Sequence, residues 1–300
     1  MGSQRILVTG ASGFIGSRLV PFLRSQGHSV NGAHLDLLDF ASIESAVRNE
    51  PLDCLIHLAA ISHVPTCEKN PSLAYQTNLA GTAQLIEVLK RHQPQCHVLF
   101  ASTAQVYAAP HGAEITQGVV FDENRAIAPQ NHYANTKWLA ELLVKDAAER
   151  YGLKTTVLRL FNHTHRAQSP DFFLPHLYSV LSSAGAGDHS AISVGNLKLF
   201  RDIGSIGDLL EAFSHTIENL ESFKPFEVFN VCSGKAKSLS ILAEGLARLM
   251  NITPEFKIDP ARVRPHEPIN LCGSHRKLTE ATGWRPTCHS EEELLRQFLA

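Results

Sequence analysis

Short apolar runs alternate along this chain with longer stretches in which apolar residues recur every three or four positions. That alternation predicts a parallel sheet whose strands are joined by crossover helices. The strand-like runs lie at 5–9, 29–33, 54–58, 97–101 and 155–159. Helical periodicity covers 15–25, 40–49, 72–91 and 133–151, with a long loop rich in Pro, Gly and polar residues before the last of these. Beyond residue 160 the elements shorten. Helices are expected at 208–219, 239–250 and 291–299, strands at 191–194 and 227–231, and a proline-studded stretch at 260–268. The division is into a regular α/β part at 1–160 and a smaller α/β lobe at 161–300, with the chain crossing back to the first part.

Composition narrows the class. At 44% apolar and 19% charged residues, the 300-residue chain has ample material for a core, which argues against extended disorder. A formal net charge of −2 offers no field for nucleic acid or an anionic membrane, so affinity for phosphate has to come from a local site. Six scattered cysteines with no Cys-x-x-Cys pair read as buried free thiols in a reducing cytoplasm. The first residues enter a strand at once, leaving no room for a signal peptide, and no run is long enough to span a bilayer. The expected location is therefore cytoplasmic.

The first strand runs into Thr9-Gly10-Ala11-Ser12-Gly13-Phe14-Ile15-Gly16 and then a helix. Gly10 permits a tight turn, Gly13 lets backbone approach a pyrophosphate, and Gly16 lets helix and strand pack closely. The helix N-terminus offers unpaired N–H groups to the anion. In this strand–turn–helix context the glycines predict a dinucleotide site. The second strand ends without the acid that would grip an NAD ribose, and no arginine stands there for a 2′-phosphate, so NAD and NADP both stay open.

Tyr133-Ala134-Asn135-Thr136-Lys137 sets a phenol and an ammonium one turn apart on one helical face. A nearby cation favours phenolate, so the pair predicts an acid/base tyrosine of lowered pKa. The fourth strand ends at Ser102-Thr103, and strand C-termini of an open α/β sheet face the ligand crevice. A hydroxyl there is suited to bonding a carbonyl oxygen as it gains charge. His163 and His165 lack nearby carboxylate or thiol ligands and read as loop residues rather than a metal site.

Together these segments resemble the extended short-chain dehydrogenase/reductase (NAD-dependent epimerase/dehydratase) family, with its Rossmann-type, doubly wound parallel sheet and smaller C-terminal substrate-binding lobe. The resemblance runs over nearly the whole chain. It is carried by Thr9–Gly16, Asp36-Leu37-Leu38-Asp39, His57-Leu58-Ala59-Ala60, Asn78, Ser102-Thr103-x-x-Val106-Tyr107 and Tyr133-x-x-x-Lys137. Leu160–Thr164, Gln168–Phe172, Gly195-Asn196-Leu197, Arg201-Asp202, Asn230–Gly234, Asp259–Pro265 and Gly283-Trp284-x-Pro286 are similar to the GDP-mannose dehydratase and GDP-4-keto-6-deoxymannose reductase branch. The resemblance implies Thr103, Tyr133 and Lys137 as catalytic. It implies Gly10, Gly13, Phe14, Ile15, Gly16, Asp36, Leu37, Leu58, Ala59 and Ala60, with Tyr133 and Lys137, around NAD or NADP. Ser102, Asn162, Arg201, Arg264 and Glu267 would hold the nucleotide sugar, arginine being suited to phosphate by its planar fork. A homodimer is implied as well.

Departures from the family pattern carry information. Dehydratases of this group need a carboxylate just after the catalytic hydroxyl, and the epimerase-reductases place a cysteine there. Here the residue is Gln105, an amide that is no base at neutral pH. What survives is hydride transfer with protonation at oxygen, the chemistry of a 4-keto reductase. A nucleotide-sugar 4-epimerase uses the same Thr-Tyr-Lys set and is the alternative. A non-catalytic nucleotide-sensing protein would not need Tyr133 and Lys137, and both are present.

Overall fold

The computed structural model describes residues 2–32, 35–183, 191–263 and 269–300. In chain order its strands are β1 (Arg5–Thr9), β2 (Ser29–Asn31), β3 (Cys54–His57), β4 (His97–Thr103), β5 (Val119–Phe121), β6 (Thr155–Leu160), β7 (Asn162–Thr164), β8 (Ala191–Val194), β9 (Phe200–Ser205), β10 (Phe226–Val231), β11 (Ala236–Ser238), β12 (Glu255–Ile258) and β13 (Asn270–Gly273). Six of them form a parallel sheet in the order β10-β6-β4-β3-β1-β2. The expected doubly wound α/β architecture is thus present, with the last of its strands, β10, returning from the second half of the chain.

Period-two alternation decides which side chain meets which layer. Ile6 and Val8 of β1 face the helices Gly16–Ser25 and Ile206–Glu218, packing with Leu19, Leu23 and Phe213. Leu7, between them, faces the opposite layer with Leu55, Phe100 and Val157. That layer contains the helices Phe40–Arg48, Gly81–His92 and His132–Tyr151. All six cysteines are buried and unpaired. Among the described residues, no helix is long and apolar enough to cross a membrane.

The stretch with helical periodicity over 72–91 is not one α-helix. Pro71–Tyr75 and Gly81–His92 are joined by a π-helical turn, Gln76–Ala80. Asn78 sits in that turn, buried, accepting from the Ile61 amide at 2.8 Å and donating to the Ile61 carbonyl and to Thr136 Oγ1. The wide turn is what aims this amide inward.

The remaining strands form two further sheets: β11-β9-β13-β5, with β7 on β9, and the pair β12-β8. A separate apolar cluster includes Leu174, Leu177, Leu246, Leu294 and Phe298. Most of these strands are three or four residues long, too short for alternation to register in the sequence.

Candidate functional site

The C-terminal ends of β1, β3 and β4 converge with the N-termini of two helices, and most of the expected site residues gather there. Gly10 has φ +72°, and a Cβ on it would lie 2.7 Å from the Ala59 amide nitrogen. The turn after β1 is thus pressed against the end of β3, where Ala59 N donates to Thr9 Oγ1 at 3.3 Å. A Cβ at Gly16 would lie 2.3 Å from the Gly10 carbonyl oxygen, so the helix begins in contact with the turn. Phe14 and Ile15 stand at the N-terminus of the helix Gly16–Ser25, and among the described residues their amides meet no acceptor. Two free N–H groups beside a side-chain-free turn at the positive end of a helix fit a pyrophosphate. Leu58, Ala59 and Ala60 are half-buried beside this turn.

Asp36 is exposed and holds its own turn, accepting from the Leu38 amide at 2.9 Å. Leu37 is buried against Gly81, where a Cβ would come within 2.7 Å of the leucine Cβ.

The helix His132–Tyr151 starts because Asn131 caps it, accepting from the Ala134 amide at 2.8 Å, and it ends at Gly152 in the left-handed conformation. Its first two turns present Tyr133 and Lys137, 8% and 4% exposed. The Tyr133 phenol lies beside the Thr103 side chain at the end of β4. Burial pushes the phenol up to about 12, against a lowering by its neighbour Thr103. The expected lowering by Lys137 is therefore not found: desolvation outweighs any help from the cation. Lys137 pays in the opposite direction, burial bringing it down to about 8 while Glu141 opposes the fall. Its ammonium lies 4.5 Å from the centre of the Phe100 ring.

Below the pair is His57, buried between Thr9 Oγ1 (2.7 Å to Nδ1) and Thr82 Oγ1 (3.0 Å to Nε2). Burial, with Lys137 adding to it, brings this imidazole down to about 3, so it stays neutral. Gln105 is fixed too, its side-chain oxygen accepting from Asn131 Nδ2 at 3.1 Å.

Ser102, expected on the substrate, is a correction. It lies on the face of β4 opposite to that of Thr103, is 3% exposed, and donates its hydroxyl to Glu141. Asn162 is exposed on β7 and Arg201 half-buried on β9; the register sets Asn162 opposite Ile203, two residues from Arg201. Arg264 and Glu267 lie outside the described residues. His163 is buried on the Phe161 carbonyl, and His165 meets Arg18 at 3.3 Å.

Sequence reasoning missed Glu141, His57 as a buried pivot, and the Gln105–Asn131 bond. Only Glu141 left a signal, standing one further turn along the face of Tyr133 and Lys137. A cavity of about 360 Å³ beside Ala108, His111 and Glu114 is lined by none of the expected site residues. Its charged wall is already committed, since Arg125 grips Glu114 with two bonds of 2.9 Å.

Comparison with known proteins gives concordant results. Residues 31–298 match the family model described as GDP-mannose 4,6 dehydratase. The GDP-6-deoxy-D-mannose reductase of Pseudomonas aeruginosa is 30% identical over 97% of this chain and 95% of its own. The GDP-6-deoxy-D-talose 4-dehydrogenase of Aggregatibacter actinomycetemcomitans is 30% identical over 93% and 92%. The structure of RMD from Pseudomonas aeruginosa complexed with NADPH superimposes with a TM-score of 0.86 at 28% identity, covering 99% of both chains.

Proposed function

The chain belongs to the GDP-mannose 4,6 dehydratase family of short-chain dehydrogenase/reductases, enzymes of nucleotide-sugar oxidoreduction and epimerisation, and from that premise we propose that it reduces a nucleotide-linked 4-keto-6-deoxyhexose. The observation that carries this reading is the buried Tyr133 phenol beside Thr103, with Lys137 one turn along.

The glycine turn and the Phe14 and Ile15 amides hold the pyrophosphate of NAD or NADP, and Lys137 the ribose next to the nicotinamide. When bound, that cofactor supplies the hydride. Thr103 and Tyr133 both reach the carbonyl oxygen of the sugar. A phenol kept protonated by burial is a donor, and it gives its proton as that oxygen gains charge. Asn162 and Arg201, with Arg264 and Glu267, bind the nucleotide sugar, the arginines on its diphosphate. Gln105 removes no proton from the carbon next to the carbonyl, which favours reduction over dehydration. The protein works in the cytoplasm as a homodimer.

The test is incubation with GDP-4-keto-6-deoxymannose and NADH or NADPH, following loss of nicotinamide absorbance and identifying the sugar formed. Stoichiometric loss with a 4-hydroxy product is expected. No turnover with this sugar or its dTDP, UDP and CDP analogues contradicts the proposal, and interconversion of 4-epimers without net oxidation identifies an epimerase instead.

A further inference from the structure

Glu141, Arg159 and Ser102 form a buried polar cluster directly behind the Tyr133–Lys137 pair, in a helix-to-sheet interface that is otherwise largely apolar. Glu141 and Arg159 have side chains only 2% and 6% exposed and meet at 2.7 Å, with a second nitrogen, Nε, at 3.1 Å from the other carboxylate oxygen. Ser102 donates its hydroxyl to the same carboxylate. The Arg159 guanidinium lies 4.8 Å from the centre of the Tyr107 ring, and Tyr107 donates to Asn230 at 2.6 Å. A buried ion pair is weak evidence of stabilisation, because two well-packed apolar residues often do as well. Its position suggests another use. Ser102 adjoins Thr103 in β4, Ser102 stands opposite Arg159 across the β4–β6 ladder, and Glu141 follows Lys137 by one turn.

We propose that Glu141 is a positioning residue of the active site: through Ser102 and Arg159 it fixes the end of β4 that presents Thr103, and its carboxylate is the counter-charge of the Lys137 ammonium. The inference rests on the reading of Lys137 as a cofactor-holding group. Among the described residues, Lys137 is coupled to Glu141 on its own helix, which also carries Tyr133 one turn back, and to His57 on β3, and it stands over the Phe100 ring of β4, while Arg159 on β6 meets Glu141 itself. His57 is neutral, Tyr133 is protonated and Arg159 is positive, so Glu141 is the negative charge of this set. Burial lowers Lys137 and Glu141 resists that lowering. Without Glu141 the ammonium therefore loses its proton at lower pH.

The measurement is NADPH affinity against pH by fluorescence titration, which needs no knowledge of the sugar. In the wild type, affinity falls as pH rises through about 8, where Lys137 deprotonates. In Glu141→Gln the same fall is expected about one pH unit earlier, a roughly tenfold weaker complex between the two limbs. Removing one partner of a buried pair can prevent folding. The double variant Glu141→Leu/Arg159→Met removes both charges at similar volume and is expected to show an early fall smaller than that of Glu141→Gln, because the positive charge of Arg159 leaves with the carboxylate. An alkaline limb that superimposes on the wild type in either folded variant, whatever the change in thermal stability, assigns Glu141 a structural role only and overturns the inference. Lys137→Met separates the two layers of the argument. It should abolish the limb, and a limb that persists overturns the reading of Lys137 itself. Ser102→Ala tests the second arm: a several-fold loss of kcat with unchanged KM is expected, and unchanged kcat contradicts the fixing of Thr103 through Ser102.

Discussion

A single methyl group at position 10 would be driven to 2.7 Å from the Ala59 nitrogen, on a backbone whose φ of +72° already disfavours any side chain. The neighbour is backbone, so nothing yields without moving β1 from β3. Gly10→Ala is expected to weaken NAD(P)H binding at least about tenfold and to lower stability by about 1–3 kcal/mol. Fluorescence titration and urea denaturation check both effects, and wild-type affinity in the variant contradicts the role of the turn. Tyr133→Phe removes only the hydroxyl. It should keep cofactor affinity while lowering kcat by about 10²-fold or more. Unchanged turnover removes Tyr133 from its role. These residues were legible because chain spacing alone places them: the glycines within one turn, the phenol and ammonium on one helical face. Ser102 was not. A hydroxyl at a strand end faces the crevice or the sheet layer depending on pleat, and pleat is set by a register that one sequence does not display.

Elements carry the site only as far as their ends are fixed. The helix His132–Tyr151 is held at its start by Asn131, which also ties down Gln105. Asn131→Ala loses the cap and that tie together, with an expected loss of about 1 kcal/mol. The urea midpoint should fall with an unchanged slope, and a midpoint equal to the wild type contradicts the capping role. Long elements were readable at this scale because three or four turns of periodic burial leave an unambiguous pattern. The π turn Gln76–Ala80 was not, since a single wide turn hardly disturbs the periodicity on either side. Nor were β9 and β13, whose pairing depends on partners about 35 to 150 residues away in the chain (β9 with β11 and β13, β13 with β5).

At the scale of the whole molecule, stability should depend on acid in a definite sense. His57 and His97 are 1% and 3% exposed, and burial brings them to about 3 and about 4 from 6.5. The unfolded chain therefore takes up protons first as pH falls below about 6.5, and the folded state loses up to about 1.4 kcal/mol per pH unit for each group. Thermal midpoints should drop between pH 7 and pH 5; a midpoint that holds or rises there contradicts the neutral burial of both rings. The parallel sheet and a return of the chain to its first part were readable from the sequence, whereas the place of β10 at the β6 edge depends on the Ile206–Glu218 helix packing beside the Gly16–Ser25 helix, a long-range event. The account as a whole stands on hydride reaching a sugar carbonyl beside Tyr133. Reaction of GDP-4-keto-6-deoxymannose with cofactor deuterated at the nicotinamide C4 tests this most directly. Deuterium at the sugar C4, one per cofactor oxidised and lost in Tyr133→Phe, is the expected result; a product without deuterium, or oxidation of cofactor uncoupled from the sugar, contradicts it.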